Sequence, residues 1–532
     1  MIFSLKDGCI SVSIISWLYE GCKRVACVRY GKAKIGSAGG ACTCGKNVPE
    51  IFAPIFPQGW DKWGKLCYNE GTTFHRKRST MNQSTQSTKD FLKTVLKIAI
   101  PVVLQGMITI GVNLMDTIML GNYGEIQISA SSLANEFINL FQILCFGIGG
   151  GAAVLTAQYW GSKDLPKLRA VITLMLRICI TIALLLTVAT ILWPGQIMAI
   201  YTNDPAIIEK GILYFRLSAF TYIPFGVMTT LTIVMRSTRQ VRLPLITSII
   251  AFFVNIGGNW VFIFGKLGAP EMQIEGAALG TLIARLVEFG IIGGYFLFFD
   301  KKVVYRLKNL FDKCGYMVKN YLKYSVPVII SDLLLGLGNN VTSMIIGRLG
   351  ASFVSANAIM AMIVRLSTVF NQGISNASGT ITGNTLGEGK ADVAYKQSWL
   401  FLWMSVIVGI LAAGIVLGAS PFIISAYNIT AETREIAYQL MYAVAIMVVF
   451  QTMQGVTTKG VLRGGGDTKF LLVADVLFLW VVSLPLGFLT AFVWNASPFI
   501  IYVALKLDWA IKSFWCIGRM KSRKWMKKIA VS

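Results

Sequence analysis

One stretch of this chain occurs twice, as PVVLQGMITIGVNLMDTIMLGNYG at residues 101–124 and as PVIISDLLLGLGNNVTSMIIGRLG at residues 327–350. The two copies align without a gap at a spacing of 226 residues. The same spacing aligns three further positions with identical residues: Gly147 with Gly373, Thr156 with Thr382 and Gly161 with Gly387. A repeat of this length predicts a molecule built from two structurally equivalent halves.

The composition indicates that lipid is the main solvent of the chain. Of its 532 residues 55% are hydrophobic and 14% are charged, and the mean hydropathy is +0.63. A soluble domain needs a larger polar fraction to cover its surface. The formal charge of +24 would suit a nucleic-acid-binding protein if it formed one basic face. Because the basic residues lie in short loops between apolar runs, we expect membrane lipid and no nucleic acid as the partner.

Apolar runs long enough to cross a bilayer recur from Val95 onward. About 20 residues of helix span the hydrocarbon core. The sequence therefore predicts an all-α membrane protein of twelve transmembrane helices, arranged as two pseudo-symmetric six-helix bundles. The predicted spans are 95–120, 128–157, 168–194, 207–235, 243–265, 274–299, 321–347, 353–385, 396–421, 432–462, 469–493 and 495–518.

The charges in the loops predict the orientation of these spans. With both termini on the inside, the inner loops and the C-terminal tail hold 26 Lys and Arg residues and the outer loops hold four. The positive-inside rule therefore predicts cytoplasmic termini in a bacterial inner (plasma) membrane. The predicted divisions are an N-terminal lobe at 81–299, a basic cytoplasmic connector at 300–323, a C-terminal lobe at 324–518 and a basic tail at 519–532.

Residues 1–80 differ from the rest of the chain. Six of the ten cysteines lie there, and the longest apolar stretch, 9–19, is too short to span a bilayer. We expect a disordered N-terminal extension, with Met81 as a possible true start. Cys42 and Cys44 have no second pair at a zinc-binding spacing, and the four later cysteines are isolated. We therefore expect no metal site and no cofactor.

Several stretches resemble the multidrug and toxic compound extrusion (MATE) family. They are MDTIMLG at 115–121, GIGGGAAVLTAQYWGSKD at 147–164, RSTRQVRLPLITS at 236–248 and RGGGDTKF at 463–470. The last two stretches begin with arginines that are 227 residues apart. The resemblance implies a secondary active antiporter that exports small, often cationic, organic compounds in exchange for H⁺ or Na⁺. It also implies alternating access between the two lobes, and we expect a monomer.

Two carboxylates in predicted spans are candidates for cation coupling. Charged groups inside a membrane are costly, so they mark functional sites by default. Asp116 lies deep in the first span, one turn after Asn113, where the family has a coupling carboxylate. Asp332 lies early in the seventh span, and a negative cavity wall would attract cationic substrates. Asn255 and Asn259 are four residues apart on the fifth span and could offer oxygen ligands to a hard cation.

The family pattern is incomplete at two of these places. One branch of the family has an Asp where Asn259 aligns, and another has an Asp in the tenth span near Thr452. Both carboxylates are missing from this sequence, which leaves the choice between H⁺ and Na⁺ open. The only histidine, His75, lies outside the spans, so a histidine proton relay is not expected.

A second group of polar residues in the spans gives weaker candidates for substrate contact. Glu288 is three residues after Arg285, so these two side chains are expected to pair with each other. The group consists of Glu136, Tyr222, Glu288, Arg365 and Asp475.

Two other functions were weighed against the antiporter. A lipid-linked oligosaccharide flippase has a related two-lobed architecture, but its pyrophosphate cargo calls for a more cationic cavity. An intramembrane enzyme needs a catalytic constellation such as a His-Glu-x-x-His helix or a nucleophile beside a base. The sequence shows neither pattern, so we expect no enzymatic activity.

Overall fold

The structure, a computed structural model, describes the backbone of residues 60–427 and 429–529 and the side chains from Thr88 onward, except those of residues 366 and 367. The chain divides into two compact units, Met1–Ser84 and Thr85–Ser532. Everything below concerns the second unit. The predicted extension lies outside the described residues up to position 59, and its disorder stays a prediction.

Eleven helices in the described residues are long and apolar enough to cross a membrane. The first half contains α1 (Thr88–Gly121), α2 (Glu125–Gly161), α3 (Leu165–Leu192), α4 (Pro205–Ser237), α5 (Arg242–Ile263) and α6 (Gln273–Phe299). The second half contains α7 (Gly315–Gly347), α8 (Ala351–Gly387), α9 (Ala391–Ala426), α10 (Ala431–Leu462) and α11 (Thr468–Val493). The prediction of an all-α membrane protein is confirmed.

The twelfth predicted span is a broken helix. It consists of α12 (Pro498–Leu505) and α13 (Leu507–Lys521), which are separated at Lys506. The backbone N–H of Asp508, just after the break, donates to the Ser483 hydroxyl at 2.6 Å. A side chain that takes the place of the backbone carbonyl as the acceptor of a helical N–H is a common cause of a kink. Together α12 and α13 cover most of the predicted span 495–518.

The internal repeat is visible in the backbone. Pro101 and Pro327 lie inside α1 and α7 at equivalent positions. Gly124 and Gly350 precede α2 and α8 with φ angles of 103° and 101°, a region that side chains rarely adopt. The two halves therefore start their second helices with the same turn. We call α1–α6 the N lobe and α7–α13 the C lobe.

The surface of the second unit is apolar along the spans. Leu185, Phe253, Trp403 and Leu411 are each more than 60% exposed. Side chains of this type at such exposure suit hydrocarbon rather than water. The buried polar side chains lie inside the lobes and between them. An apolar surface around polar interior groups reverses the arrangement of a soluble protein.

The segment between α6 and α7 is packed onto α3. The Arg169 side chain donates to the Val303 carbonyl at 2.9 Å, and Arg177 donates to the Leu310 carbonyl at 2.8 Å. The predicted connector ended at residue 323, but α7 begins at Gly315. Tyr321 is buried inside the protein, so the last nine residues of that stretch belong to the span.

The segment after α13 crosses from one lobe to the other, and we call residues 522–529 the strap. Trp525 is fully buried against Gly465 of the C lobe, in a hydrophobic cluster of mainly C-lobe residues. Ile529 is 2% exposed and belongs to a cluster of mainly N-lobe residues. Its backbone N–H donates to the Gln158 side-chain oxygen at 3.1 Å. The strap therefore joins α2 to the end of the C lobe.

Candidate functional site

A cavity of about 550 Å³ lies between the two lobes. The N lobe contributes α2 and α4 to its wall, and the C lobe contributes α7, α8 and α10. Cavities of several hundred cubic ångströms enclose drug-sized molecules. We call this space the inter-lobe cavity.

One side of the inter-lobe cavity is rich in amides, and the other is apolar. All the lining amides come from the C lobe: Asn339, Asn371, Gln372, Asn376, Gln451 and Gln454. The apolar side chains come mainly from the N lobe: Ile143, Phe146, Val154, Ile233 and Leu335. An amide both donates and accepts hydrogen bonds, so this wall suits polar groups of many kinds.

Four charged residues line the inter-lobe cavity, and their charges sum to +2 within its described lining: Arg236, Asp332, Lys459 and Arg463. The Asp332 carboxylate pairs with Arg463 at 3.1 Å, and both side chains are 14% exposed. Arg236 instead donates to the neutral Gln105 side chain at 2.7 Å. The negative wall expected from Asp332 is therefore not found, because Arg463 compensates that charge.

Lys459 is the remaining cation of the cavity wall. Its side chain is exposed, and it forms no ion pair or hydrogen bond with any residue that the structure describes. It lies in a π-helical turn of α10, Val456–Leu462. Turns of this kind are frequent at functional sites, because they change the direction in which a side chain points.

The two lobes meet closely where α2 and α8 end, and we call this contact the seam. A methyl group on Gly161 would overlap the Asn384 backbone carbonyl, and one on Gly387 would overlap the Gln158 carbonyl. The four residues are related by the 226-residue repeat, so the seam has the pseudo-symmetry of the chain. Glycine is required at both positions because each faces the backbone of the other helix.

Side-chain hydrogen bonds extend the seam to the ends of α4 and α10. The Gln158 amide donates to the Gly464 carbonyl at 3.4 Å. In the orientation that satisfies its hydrogen bonds, the Asn384 amide donates to the Ser237 carbonyl at 3.2 Å. Ser237 and Gly464 are also related by the repeat, at a spacing of 227. Each lobe therefore offers one amide to the other at this end of the molecule.

Asp116 is held inside the N lobe by neutral side chains. The Asn259 amide donates to its carboxylate at 2.5 Å, and the same nitrogen lies 3.4 Å from the Asn255 side-chain oxygen. Asn255 in turn donates to the Thr281 hydroxyl at 3.3 Å. Asp116 forms no ion pair with any residue in the described part of the chain. The structure thus brings together Asp116, Asn255 and Asn259, three of the residues named as candidates for cation coupling, whereas Asp332 lies apart from them at the inter-lobe cavity.

One oxygen of this cluster has no protein partner. The Asn259 side-chain oxygen is buried and accepts no hydrogen bond from any described residue. Oxygen atoms from carboxylates and amides are the ligands that hard cations take. The predicted neighbour Asn113 lines a small pocket beside this cluster, together with Asn255 and Glu288. In that pocket Glu288 pairs with Arg285 at 2.6 Å, as expected from their spacing.

The C lobe buries a different kind of charge cluster. The Lys512 ammonium lies 3.2 Å from Asp475 and 2.8 Å from Asp508, and all three side chains are at most 7% exposed. The Ser331 hydroxyl donates to Asp475 at 2.5 Å. Ser331 directly precedes Asp332, which lines the inter-lobe cavity. The charge cluster therefore adjoins the cavity wall.

None of the weaker substrate-contact candidates lines the inter-lobe cavity. Glu136 and Arg365 are exposed, and Tyr222 is 1% exposed within the N lobe. Glu288 and Asp475 are buried in ion pairs inside the N and C lobes. Helical periodicity shows which residues share a face, but it does not show which face of a helix meets the other lobe.

The sequence did signal the cavity arginines, although not their role. Arg236 and Arg463 occupy equivalent positions of the repeat and begin two of the stretches that resemble the family. A charge directly after two equivalent apolar spans indicates a common environment, and here both lie at the inter-lobe cavity. Lys512 and Asp508 carried no such signal, because their partner Asp475 is 33 residues or more away in sequence.

Comparisons with known proteins agree with this architecture. The MatE family model matches residues 101–261 and 327–489, which are the two halves of the repeat. The chain is 24% identical over 454 residues to a probable multidrug resistance protein NorM of Thermotoga maritima, covering 84% of this chain and 96% of that protein. It is 21% identical over 406 residues to multidrug and toxin extrusion protein 1 of Oryctolagus cuniculus, covering 75% and 69%.

Solved structures share the fold at lower identity. The outward-facing conformation of a multidrug resistance MATE family transporter of the MOP superfamily superimposes with a TM-score of 0.73 at 16% identity, covering 81% of this chain and 96% of that one. A MATE in the bent conformation gives 0.74 at 15% identity, covering 83% and 97%. The matched residues, the duplicated six-helix lobes and the cavity between them lead to one conclusion: the chain belongs to the MatE family.

Proposed function

We propose that this protein exports small organic compounds across a bacterial inner membrane, in exchange for H⁺ or Na⁺, as its two lobes open alternately. The observation that carries the proposal is the combination of a drug-sized inter-lobe cavity with a half-buried carboxylate, Asp116, whose described hydrogen-bond partner is a neutral amide. Relatives named as multidrug resistance proteins support the substrate class. The predicted orientation places both termini in the cytoplasm.

The coupling step follows from the cost of a charge in a membrane interior. An ionised carboxylate at this depth is unfavourable unless it is neutralised. A proton on Asp116 removes the charge, and a sodium ion between Asp116 and the unpartnered oxygen of Asn259 compensates it. Either event changes the relative free energies of the two conformations of the N lobe, which is the requirement for coupling.

The position of the seam indicates from which face of the membrane the inter-lobe cavity is reached in this conformation. Gly161 and Gly387 lie at the ends of α2 and α8 that the charge pattern assigns to the cytoplasm. The close contact there, with the strap beside it, favours a cavity that is reached from the opposite face. Transport then requires the seam and the strap to separate.

Gradient-driven efflux from proteoliposomes tests the proposal. The purified full chain is reconstituted, the vesicles are loaded with a fluorescent organic compound, and either a proton or a sodium gradient is imposed. We expect one of the two gradients to accelerate efflux, and an ionophore that collapses it should abolish the acceleration. Efflux that is equally fast without any gradient would contradict coupled exchange.

A further inference from the structure

We infer that the substrates held in the inter-lobe cavity carry an anionic group, bound by Arg236 and Lys459, on an apolar body. The chemical class is that of amphiphilic organic anions and zwitterions, such as aromatic carboxylates and sulfonates. This inference rests on the proposed function and narrows its substrate class. Four features of the cavity support it: its net charge, the fixed position of Arg236, the unpaired Lys459 and the division of the wall into an apolar side and an amide side.

The charge of the inter-lobe cavity comes first. Three cationic side chains and one carboxylate line it, and the single carboxylate, Asp332, is already paired with Arg463. Uncompensated positive charge in a low-dielectric space is unfavourable. A cationic ligand would increase that cost, whereas an anionic group would remove it.

Arg236 is positioned by its neighbours without being neutralised. Its guanidinium donates to the Gln105 side-chain oxygen at 2.7 Å. The Gln105 amide donates in turn to the Ser248 hydroxyl at 3.1 Å, so the acceptor is held in place. A guanidinium fixed in this way binds a carboxylate or sulfonate through charge-assisted hydrogen bonds. Arg463, the equivalent residue of the C lobe, is not available for such an anion, because it already forms an ion pair with Asp332.

Lys459 supplies a second charge that forms no ion pair or hydrogen bond with any described residue, although it acts on Asp332 from a longer distance. Its exposed ammonium is free to follow ligands of different length, because the lysine side chain is long and flexible. Arg236 comes from the N lobe and Lys459 from the C lobe. An anion that contacts both would therefore be held between the lobes, where substrate has to lie if their relative movement is to expose it to each side.

The remaining wall suits the rest of such a molecule. Phe146, Ile233 and Val154 of the N lobe offer an apolar surface near Arg236 in the same lining. Amphiphilic ligands are bound in this way, by apolar contact with a few placed polar groups. The amides on the C-lobe side accept neutral polar substituents, so the cavity selects for charge more strictly than for shape.

Three matched compounds test the inference: 2-naphthoate, 2-naphthamide and 2-naphthylmethylammonium, which share a ring system and differ in charge. Binding to the purified full chain in detergent is measured by calorimetry, without any gradient. We expect naphthoate to bind at least about tenfold more tightly than the amide, because a charge-assisted hydrogen bond contributes about 1.5–3 kcal/mol, or about 10- to 100-fold. Equal or tighter binding of the ammonium compound would overturn the inference.

Gln105→Glu is the most selective variant. It keeps Arg236 and places a carboxylate beside it, which copies the arrangement of Arg463 and Asp332. We expect the preference for naphthoate over naphthamide to fall by about tenfold or more. Arg236→Gln should do the same and Arg236→Lys should retain part of the preference, while Lys396→Gln, on the exposed face of α9, should change nothing. An unchanged preference in Gln105→Glu and Arg236→Gln would contradict the assignment.

Two further measurements distinguish a bound lipid from a transported substrate. Phosphatidylglycerol offers the same anionic chemistry from a lipid, and competition by it at low micromolar concentration, with naphthoate not transported, would assign the charge to a lipid instead. Transport of the same three compounds in proteoliposomes tests the proposed function independently. Gradient-driven export of the ammonium compound alone would keep the function and remove the inference, whereas selective naphthoate binding without any transport would remove the function only.

Discussion

The two lobes repeat each other in backbone but not in buried charge. In the N lobe, Asp116 is hydrogen-bonded to the neutral Asn259. In the C lobe, Asp475 and Asp508 share the Lys512 ammonium, and Asp332 pairs with Arg463. Asp116 of the N lobe therefore forms no ion pair within the described residues, although the charge of Arg285 acts on it from a longer distance. The three C-lobe carboxylates each form an ion pair with a lysine or arginine of their own lobe.

This difference assigns distinct tasks to the equivalent halves. The residue that corresponds to Asp116 in the repeat is Thr342, whose hydroxyl donates to a backbone carbonyl of its own helix. A lobe whose carboxylates are permanently paired gains little from an external ion, since a lysine already lies where an ion would bind. Coupling is therefore expected in the N lobe, with the C lobe acting as the more constant half.

Replacing Asp116 gives the largest expected effect on transport. Asp116→Asn removes the charge that a proton or sodium ion neutralises in the proposed coupling, so gradient-driven efflux should fall to the level without a gradient. The hydrogen bond with Asn259 can be kept by the new amide, and we expect no loss of folded protein. Efflux from reconstituted vesicles measures the first effect, and size-exclusion chromatography measures the second. Glu435→Gln, an exposed carboxylate of the C lobe, serves as the control.

Replacing Lys512 gives the largest expected effect on stability. Lys512→Met leaves Asp475 and Asp508 buried without their cation, which costs about 3–5 kcal/mol. Thermal unfolding in detergent should show a correspondingly lower Tm. The triple variant with Asp475→Asn and Asp508→Asn should recover most of the loss. Arg285→Met, at the equivalent position of the N lobe, is the comparison.

The Arg285 variant sharpens the contrast between the lobes. This side chain is 25% exposed and forms an ion pair with one carboxylate, Glu288, while it acts on Asp116 only from a longer distance, so we expect a loss smaller than that of Lys512→Met. Equal losses in the two variants would show that the lobes store charge in the same way, contrary to our interpretation.

The seam is where the lobes should respond alike. Gly161→Ala and Gly387→Ala each force a methyl group against a backbone carbonyl of the other lobe, at a cost of about 1–3 kcal/mol. Ala157 is buried in the seam against Gly383 of α8. Both variants should therefore open the seam and increase the labelling of a cysteine introduced there as Ala157→Cys. Gly418→Ala, which has open space around it, should leave labelling unchanged. Increased labelling in only one of the two seam variants would contradict the functional equivalence of the two glycines.

The smallest expected effect concerns the outer contact of the strap. Arg523 pairs with Asp392 at 2.9 Å and stacks on Tyr395 at 4.1 Å, but the two charged side chains are 53% and 84% exposed. Exposed pairs of this kind contribute about 0–1 kcal/mol. Arg523→Ala should therefore change Tm and labelling at position 157 only slightly, while Trp525→Ala should raise the labelling clearly.

The fold could be predicted closely because a membrane-spanning segment is recognised in the sequence by a single feature, a long apolar run. Each apolar run had to be a helix, and the repeat fixed the pairing of the halves. The break at Lys506 was missed because its cause, the hydrogen bond of the Asp508 N–H with Ser483, joins residues that are 25 positions apart. Local patterns do not reveal contacts of that range.

The candidate site was predicted in part, for a related reason. Asp116 and its two asparagines were found because charge and spacing within single helices pointed to them. The charge of the inter-lobe cavity could not be predicted, since it depends on whether Asp332 and Arg463, which are 131 residues apart in sequence, make contact. Asp332 attracted attention as an anion, and its pairing with Arg463 changes the sign of the wall.

The strap has a consequence for biosynthesis. Trp525 and Ile529 follow every span in the chain, so the seam obtains its last partner only after the final helix has been translated and inserted. A stop codon between Lys521 and Ile529 would leave all the spans intact but remove that partner. Such a product would reach the membrane with its seam weakened, and we expect its defect to appear as leakage of substrate rather than as loss of protein.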